Sequence, residues 1–462
     1  MNTLLIATGL GLFCLVAELI NFRKLLIPAI LLGLGVLFYV TMGQWGQNAQ
    51  AMLGGLDMSH MIGFDNFALA FSGLAIFITA LIFMMAQDYY KTEMHHVTDY
   101  SAIFLFTLTG AIVLFSFNNM AMMFLGIEII SISMYIMAGS RKFDTRSNEA
   151  GFKYFLMGAF ASGFLLMGIA LVYGTAGSFQ LNVIHEYASA NNISPLFYTG
   201  IVFMLAAFFF KVSAVPFHFW SPDVYEGAPA LVTTIMSTLI KITVFGAFFR
   251  LMALAFPSIY TETQPIFLVI TALTITIGNL IATSQQSFKR MLAYSGISHA
   301  GFMLMAILTL KFDSASSLLF YATTYSFANI GAFAIAIPVF FFMKQENIDA
   351  FNGLAKKNGA LAFILTIFLL SMAGIPPLAG FWAKYYIFSK AIQGQLYTIT
   401  LIAVINSIIG VYYYFKVILA MYTKQANETK IIPTPMFWSV IVTCLIITIV
   451  LGLMPDTLMN LL

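Results

Sequence analysis

Cysteine and charge are both scarce in this sequence. Its 462 residues include only two cysteines, Cys14 and Cys444, each inside an apolar run. There is no CxxC pair, no set of four thiolates and no disulfide framework, so cysteine-ligated electron carriers are excluded from this chain. Charged residues make up 8% of the chain against 61% hydrophobic, and the mean hydropathy is +0.93. A soluble protein of this length needs far more charge to cover its surface, so the solvent is a bilayer. No nucleic-acid partner is expected.

The apolar runs are continuous and near 20 residues long, whereas barrel strands are short and alternate. They predict an all-α polytopic membrane protein with about fourteen spans. Roughly, these cover 2–20, 25–43, 64–86, 100–117, 119–139, 150–174, 196–219, 229–253, 264–283, 290–310, 315–343, 360–390, 396–421 and 433–454. The first run has no basic residue before it and Arg23–Lys24 after it. A secretory signal has the opposite arrangement, so residues 2–20 read as a retained span.

Loop charge tests that count. The loops after odd-numbered spans hold thirteen of the 21 Lys and Arg: Arg23, Lys24, Lys91, Arg141, Lys142, Arg146, Lys289, Arg290, Lys344, Lys356, Lys357, Lys424 and Lys430. The other loops hold three, Arg250, Lys311 and Lys390. This bias puts the odd-numbered loops in the cytoplasm and both termini outside, which requires an even number of spans.

Two spans are interrupted. One reads Phe210-Lys211-Val212-Ser213-Ala214-Val215-Pro216-Phe217-His218, the other Ala373-Gly374-Ile375-Pro376-Pro377-Leu378-Ala379-Gly380 with Lys384 following. Proline removes a backbone donor and frees carbonyls that need other partners. Broken helices five spans apart, in opposite orientation, suggest two inverted five-helix repeats, spans 4–8 and 9–13, with an ion path near the breaks. Ordinary proline kinks are the alternative. The expected organisation is a three-span segment at 1–99, repeats at 100–255 and 256–422, and a last span at 423–462.

Five lysines fall inside spans: Lys153, Lys211, Lys241, Lys384 and Lys416. Glu128 is the one carboxylate at mid-depth. A charge there costs roughly 2.5–3.5 kcal/mol on insertion scales, so each such group should face other helices, either as a static ion pair or as a proton carrier. Lys211 borders the first break, Lys241 is central to the eighth span, and Lys384 follows the second break. Lys153 and Lys416 lie near span ends, where their stems reach headgroups. Histidine as a residue type titrates near neutrality, so His218 and His299 are candidates to bridge two lysines; packing against polar neighbours is their plainer reading. No second intramembrane histidine pair accompanies them, which disfavours haem. Asp223 and Glu226 read as solvated loop acids or caps. A sodium or potassium site needs several oxygen ligands, yet mid-membrane lysines outnumber the single carboxylate, which favours protons as cargo.

The stretches Phe124 to Gly139, Lys153 to Ser162, Lys211 to Pro229, Lys289 to Ser295, Gly374 to Gly380, and Asn406-Ser407 with Tyr412-Tyr413-Tyr414 resemble the antiporter-like subunits of respiratory complex I. The match follows the same order across most of the chain. It is most similar to the N-type subunits of bacterial NADH–quinone oxidoreductases. Lys384 stands where M-type subunits carry glutamate, there is no long L-type extension, and the first three spans are unlike the shortened animal mitochondrial counterpart.

The resemblance implies fourteen helices in two inverted repeats, a Glu128–Lys211 pair, Lys241 as central lysine, Lys384 leading to the far side, and Lys153 as an accessory lysine. His218 and His299 correspond more loosely to linking residues. It also implies a bacterial inner-membrane subunit with periplasmic termini, contacting adjacent antiporter-like and small membrane subunits. Flavin mononucleotide, iron–sulfur clusters and quinone would belong to other chains, and this chain would hold no cofactor. A subunit of a multi-chain sodium/proton antiporter or membrane-bound hydrogenase shares these motifs, and a scaffold whose lysines only pair helices is the non-transport alternative.

Overall fold

The computed structural model describes every residue except 1, 21, 48–51, 54–55, 91–96, 191, 311–313 and 426–430. The loop cations Lys91, Lys311 and Lys430 lie outside the described residues.

Eleven described helices are long and apolar enough to cross a bilayer. They are Asn2–Leu19, Asn66–Tyr89, Val97–Ser116, Met120–Ala138, Thr145–Ala176, Ala230–Leu254, Pro257–Ser284, Phe288–Leu308, Ala315–Met343, Tyr397–Thr423 and Pro435–Leu453. Three shorter apolar helices, Leu26–Met42, Pro195–Lys211 and Gly359–Ala373, supply the second, seventh and twelfth spans. Together they give the fourteen spans expected from the apolar runs. The seventh and twelfth are short because each is broken. A minimal antiparallel ladder, Met52–Leu53 with Leu56–Asp57, connects spans two and three.

Burial separates the helices by role. Residues of the eighth, tenth and eleventh spans are almost all enclosed, whereas those of the sixth, ninth and thirteenth are largely exposed. The central helices are therefore apolar all round and surrounded by others, while the outer ones present Phe, Leu and Ile to lipid. Spans four and five pack together, as do nine and ten; four packs on eight as nine packs on thirteen.

The breaks show where the freed backbone groups go. After Lys211 the chain leaves the helix for eight residues and re-enters one at Trp220–Gly227. The Trp220 indole N–H donates to the Phe210 carbonyl at 3.1 Å, and the Val215 amide donates to the Thr274 hydroxyl at 3.0 Å. The segment expected as a solvated loop is thus a helix with Trp220 and Tyr225 buried, because its aromatic rings fill the space opened by the break. In the second break, Gly374 adopts φ +87, a left-handed conformation glycine takes without steric penalty. The Gly380 amide donates to the Ser371 hydroxyl at 3.2 Å. Both breaks contain a cis proline bond, at Val215-Pro216 and Pro376-Pro377.

Two cations counted as loop charges are buried. Arg250 is 4% exposed and Lys289 2% exposed. Arg250 spends its guanidinium on the Phe117 carbonyl (2.8 Å), the Asp65 carboxylate (2.6 Å) and the Asn118 side chain (2.9 Å), tying the end of span eight to spans three and four. A guanidinium bonded at each of its three nitrogens and paired with a carboxylate can be buried where a lone charge cannot.

Candidate proton path

Lys211 is the last helical residue before the first break and reaches across to span five. Its ammonium donates to the Ser131 hydroxyl at 2.7 Å and the Tyr135 hydroxyl at 3.4 Å. Glu128, one turn before Ser131, is half-buried, and its Oε1 has no hydrogen-bond partner. The direct Glu128–Lys211 ion pair implied by the resemblance is therefore not made. The lysine is held by hydroxyls a turn away, within Coulombic reach of a carboxylate free to change partners.

Lys241 opens the second α-helical part of span eight, which a π-helical turn, Met236–Ile240, separates from Ala230–Ile235. Such turns leave carbonyls offset and recur at functional sites. Here the Tyr225 hydroxyl donates to the Met236 carbonyl at 3.2 Å, and the Ser237 hydroxyl meets the Asn329 side chain at 3.1 Å. The Lys241 ammonium donates to the Gly296 carbonyl at 2.6 Å and lies 5.3 Å from the centre of the Tyr325 ring. It is 6% exposed, with no carboxylate in ion-pair contact among the described residues.

His299 is one turn along from Gly296 on span ten. Its Nδ1 lies 2.6 Å from the Tyr321 hydroxyl and its Nε2 3.1 Å from the Tyr414 hydroxyl, which in turn bonds the Ser295 hydroxyl. A neutral imidazole donates from one nitrogen and accepts at the other, while each hydroxyl can do either. The chain Ser295–Tyr414–His299–Tyr321 can therefore carry its hydrogen bonds in either sense. A cavity of about 10 Å³, the size of roughly one water probe, lies between His299 and the second break, with Tyr325, Ser371 and Gly380 in its wall.

Beyond it, Lys384 donates to the Ala373 carbonyl at 2.7 Å and the Ser407 hydroxyl at 2.8 Å. The Ala373 carbonyl is one the break releases, so this lysine satisfies the backbone that the prolines disrupt. Its ammonium sits 5.1 Å from the Phe302 ring centre.

The remaining candidates lie elsewhere. Lys153 bridges Glu149 (2.7 Å) and Asp223 (3.0 Å) at the rim of an open cleft of about 1200 Å³, on the face carrying the loops after odd-numbered spans. Arg290 joins Asp223 (2.8 Å) and Glu226 (2.9 Å) in the same network. Burial works to raise the Asp223 carboxyl, but hydrogen bonds from Lys153 and Arg290 outweigh it and hold the group below its usual range. Asp223 and Glu226 thus anchor ion pairs rather than hang in solvent. Lys289 bonds Glu346 (2.9 Å) and the Ala228 carbonyl (2.8 Å) beside them. His218 is buried in the first break with Nδ1 unpartnered, against the Phe219 ring at 4.4 Å. Lys416 donates to the Gln285 carbonyl at 2.8 Å.

The sequence reading missed Tyr321 and Tyr325 and gave Tyr414 only within the Tyr412-Tyr413-Tyr414 motif, with no role. All three are buried around His299, but nothing in the local sequence of Tyr321 and Tyr325 separates them from the other tyrosines among 21. Among the described residues, no three His, Cys, Asp or Glu side chains converge as a metal site would require. Cys14 and Cys444 are buried and unpaired.

Residues 117–410 match the family described as NADH:quinone oxidoreductase/Mrp antiporter, TM. The chain is 43% identical to "NADH-quinone oxidoreductase subunit N" of Flavobacterium psychrophilum over 462 residues, covering 100% of both chains. It is also 43% identical to the protein of that name in Cytophaga hutchinsonii, covering 100% of this chain and 99% of the other. Among solved structures, a chain of respiratory complex I from Thermus thermophilus superposes with a TM-score of 0.83 at 29% identity, over 99% of this chain and 98% of that one. A chain of the Mrp complex from Dietzia sp. DQ12-45-1b gives 0.88 at 19% identity over 99% and 95%, a likeness of fold alone.

Proposed function

Because this chain belongs to the NADH:quinone oxidoreductase/Mrp antiporter transmembrane family, we propose that it is the N-type, proton-translocating membrane-arm subunit of an NADH–quinone oxidoreductase. Its buried lysines would carry the proton while flavin mononucleotide, iron–sulfur clusters and quinone work in other chains. The full-length relatives at 43% identity support the respiratory assignment over the antiporter and hydrogenase alternatives.

The observation that carries the proton reading is the way Lys241 and Lys384 are held. Each is buried and bonded to a neutral backbone carbonyl, with no carboxylate in contact among the described residues. A static ion pair would give each lysine a fixed counter-charge. A carbonyl accepts from an ammonium and loses comparatively little when the amine becomes neutral. Proton loss is therefore tolerated at both positions. Glu128 and Lys211 form the charge-variable start of the line, and His299 lies between Lys241 and Lys384. Lys153, at the rim of the cleft, is assigned to its cytoplasmic end, and His218 to the first break. Quinone reduction elsewhere would shift the Glu128–Lys211 distance and so bias the next lysine, an electrostatic two-state coupling.

The same reading orients the chain. The cleft and its cations lie on the cytoplasmic side of a bacterial inner membrane, with both termini periplasmic. The matching packing of spans four, five and eight with nine, ten and thirteen supports the two inverted repeats, 100–255 and 256–422. Half-buried Glu128 shares its helix face with exposed Leu125, Ile132 and Ile136. A carboxylate at that depth against lipid would cost roughly 2.5–3.5 kcal/mol, which supports an adjacent membrane subunit covering this face.

Cargo is the direct test. In sodium-free inverted vesicles carrying the whole complex, NADH oxidation should still acidify the lumen. Transport that stops without sodium would transfer the assignment to the antiporter class.

A further inference from the structure

Tyr325 stands between Lys241 and His299 and has an unsatisfied polar atom. Its ring lies 5.3 Å from the Lys241 ammonium and 4.8 Å from the His299 ring. Its hydroxyl is fully enclosed and has no hydrogen-bond partner. Leaving a buried hydroxyl unpaired costs about 1–3 kcal/mol, so such a group calls for an explanation. Two observations locate it. A methyl group on Gly296 would stand 2.8 Å from the Lys241 ammonium and 3.2 Å from the Tyr325 hydroxyl, so both polar atoms close on one side-chain-free position. Tyr325 also lines the one-water cavity that His299 shares with the second break.

We infer that Tyr325 relays the proton between Lys241 and His299 through a water in that cavity, an inference that rests on the proton-path reading above. The balance is simple. The Lys241 ammonium turns from the Gly296 carbonyl to the Tyr325 hydroxyl; its N–H bond breaks as a new O–H forms on Tyr325, whose original proton passes to the water. The water gives one of its own to the Tyr321 hydroxyl, which lines the same cavity, as the original Tyr321 proton passes to Nδ1 of His299. Rotation of the hydroxyls then restores the starting state, so no phenolate accumulates and no other reactant is needed. The reversible chain Ser295–Tyr414–His299–Tyr321 lets the imidazole accept from either side. Lys384, adjacent in sequence to Ala383 of the cavity wall, receives the proton next.

The test uses the whole assembled complex in inverted vesicles. Tyr325→Phe keeps the ring and removes only an unpaired hydroxyl, which should leave folding neutral or improved. Coupled quinone reduction and lumen acidification should both fall roughly tenfold or more, the scale of lost proton-transfer assistance. The solvent deuterium isotope effect should rise, a readout that a packing role would not move. Ser326→Ala, which deletes a neighbouring unpartnered hydroxyl, should leave both unchanged. Lys241→Ala is run beside them. Normal pumping in Tyr325→Phe with a blocked Lys241→Ala overturns the relay and leaves the path intact. Normal pumping in both overturns the path, and the relay with it. If Tyr325→Phe fails to assemble, Tyr325→3-fluorotyrosine keeps the shape and changes the acidity. A shifted pH profile then supports the relay, and an unchanged one overturns it.

Discussion

Lys241 gives its ammonium to the carbonyl oxygen of Gly296 at 2.6 Å, and it can do so because Gly296 has no side chain. The lysine comes from the eighth span and the glycine from the tenth, so this contact joins the two halves of the helix bundle at its most enclosed point. Gly296→Ala would bring a methyl group to 2.8 Å from Nζ, forcing the flexible lysine end to move. The helix itself would tolerate alanine, which has the higher helix propensity. Assembly should therefore survive while pumping falls by at least about tenfold, since small displacements of a reacting group are costly. Wild-type acidification by assembled Gly296→Ala complex would mean that this carbonyl contact is incidental.

The hydroxyl hold on Lys211 leads to a second expectation. Ser131 and Glu128 lie one turn apart and compete for the same ammonium, Ser131 holding it at 2.7 Å. Ser131→Ala should let Lys211 swing toward the carboxylate, so its effect on turnover should depend on whether Glu128 is present. A double-mutant cycle with Glu128→Gln should give a coupling above about 0.5 kcal/mol. Strict additivity would show that the two residues do not share the lysine.

The rim network gives a pH prediction. Asp223 has its carboxyl held below the usual range, so its contribution to stability is fully present above the unfolded value of about 3.9 and is lost as pH falls through the lower folded value. Asp223→Asn should lower the thermal stability of the complex by the same amount at every pH from about 5.5 to 8. A gap that closes within that window would mean that another group sets it. Because the pairs are partly exposed, high salt should narrow the gap.

Much of the architecture is readable from the chain because the bilayer enforces it. Each span needs a near-continuous apolar run, and a lysine inside one, such as Lys241 or Lys384, stands out against that background. The two breaks are marked by prolines for the same reason. What escapes the sequence is whatever depends on distant partners. Arg250 and Lys289 sit at span ends, where a charge looks the same whether it meets water or the Asp65 and Glu346 carboxylates. The helix Trp220–Gly227 reads as a loop because its acids and prolines dominate locally, while the rings that bury it are matched to a cavity only the fold creates. The π turn before Lys241 has no residue signature. Tyr321, Tyr325 and Tyr414 become a site only when spans ten, eleven and thirteen meet.

The central claim is that a proton passes through Lys241. Its most direct test is Lys241→Ala in the native complex, checked for assembly, with NADH-driven quinone reduction and vesicle acidification recorded together. The account predicts that both are lost in an assembled complex. Undiminished acidification would remove this lysine from the mechanism and leave the buried lysines as structural ties between helices.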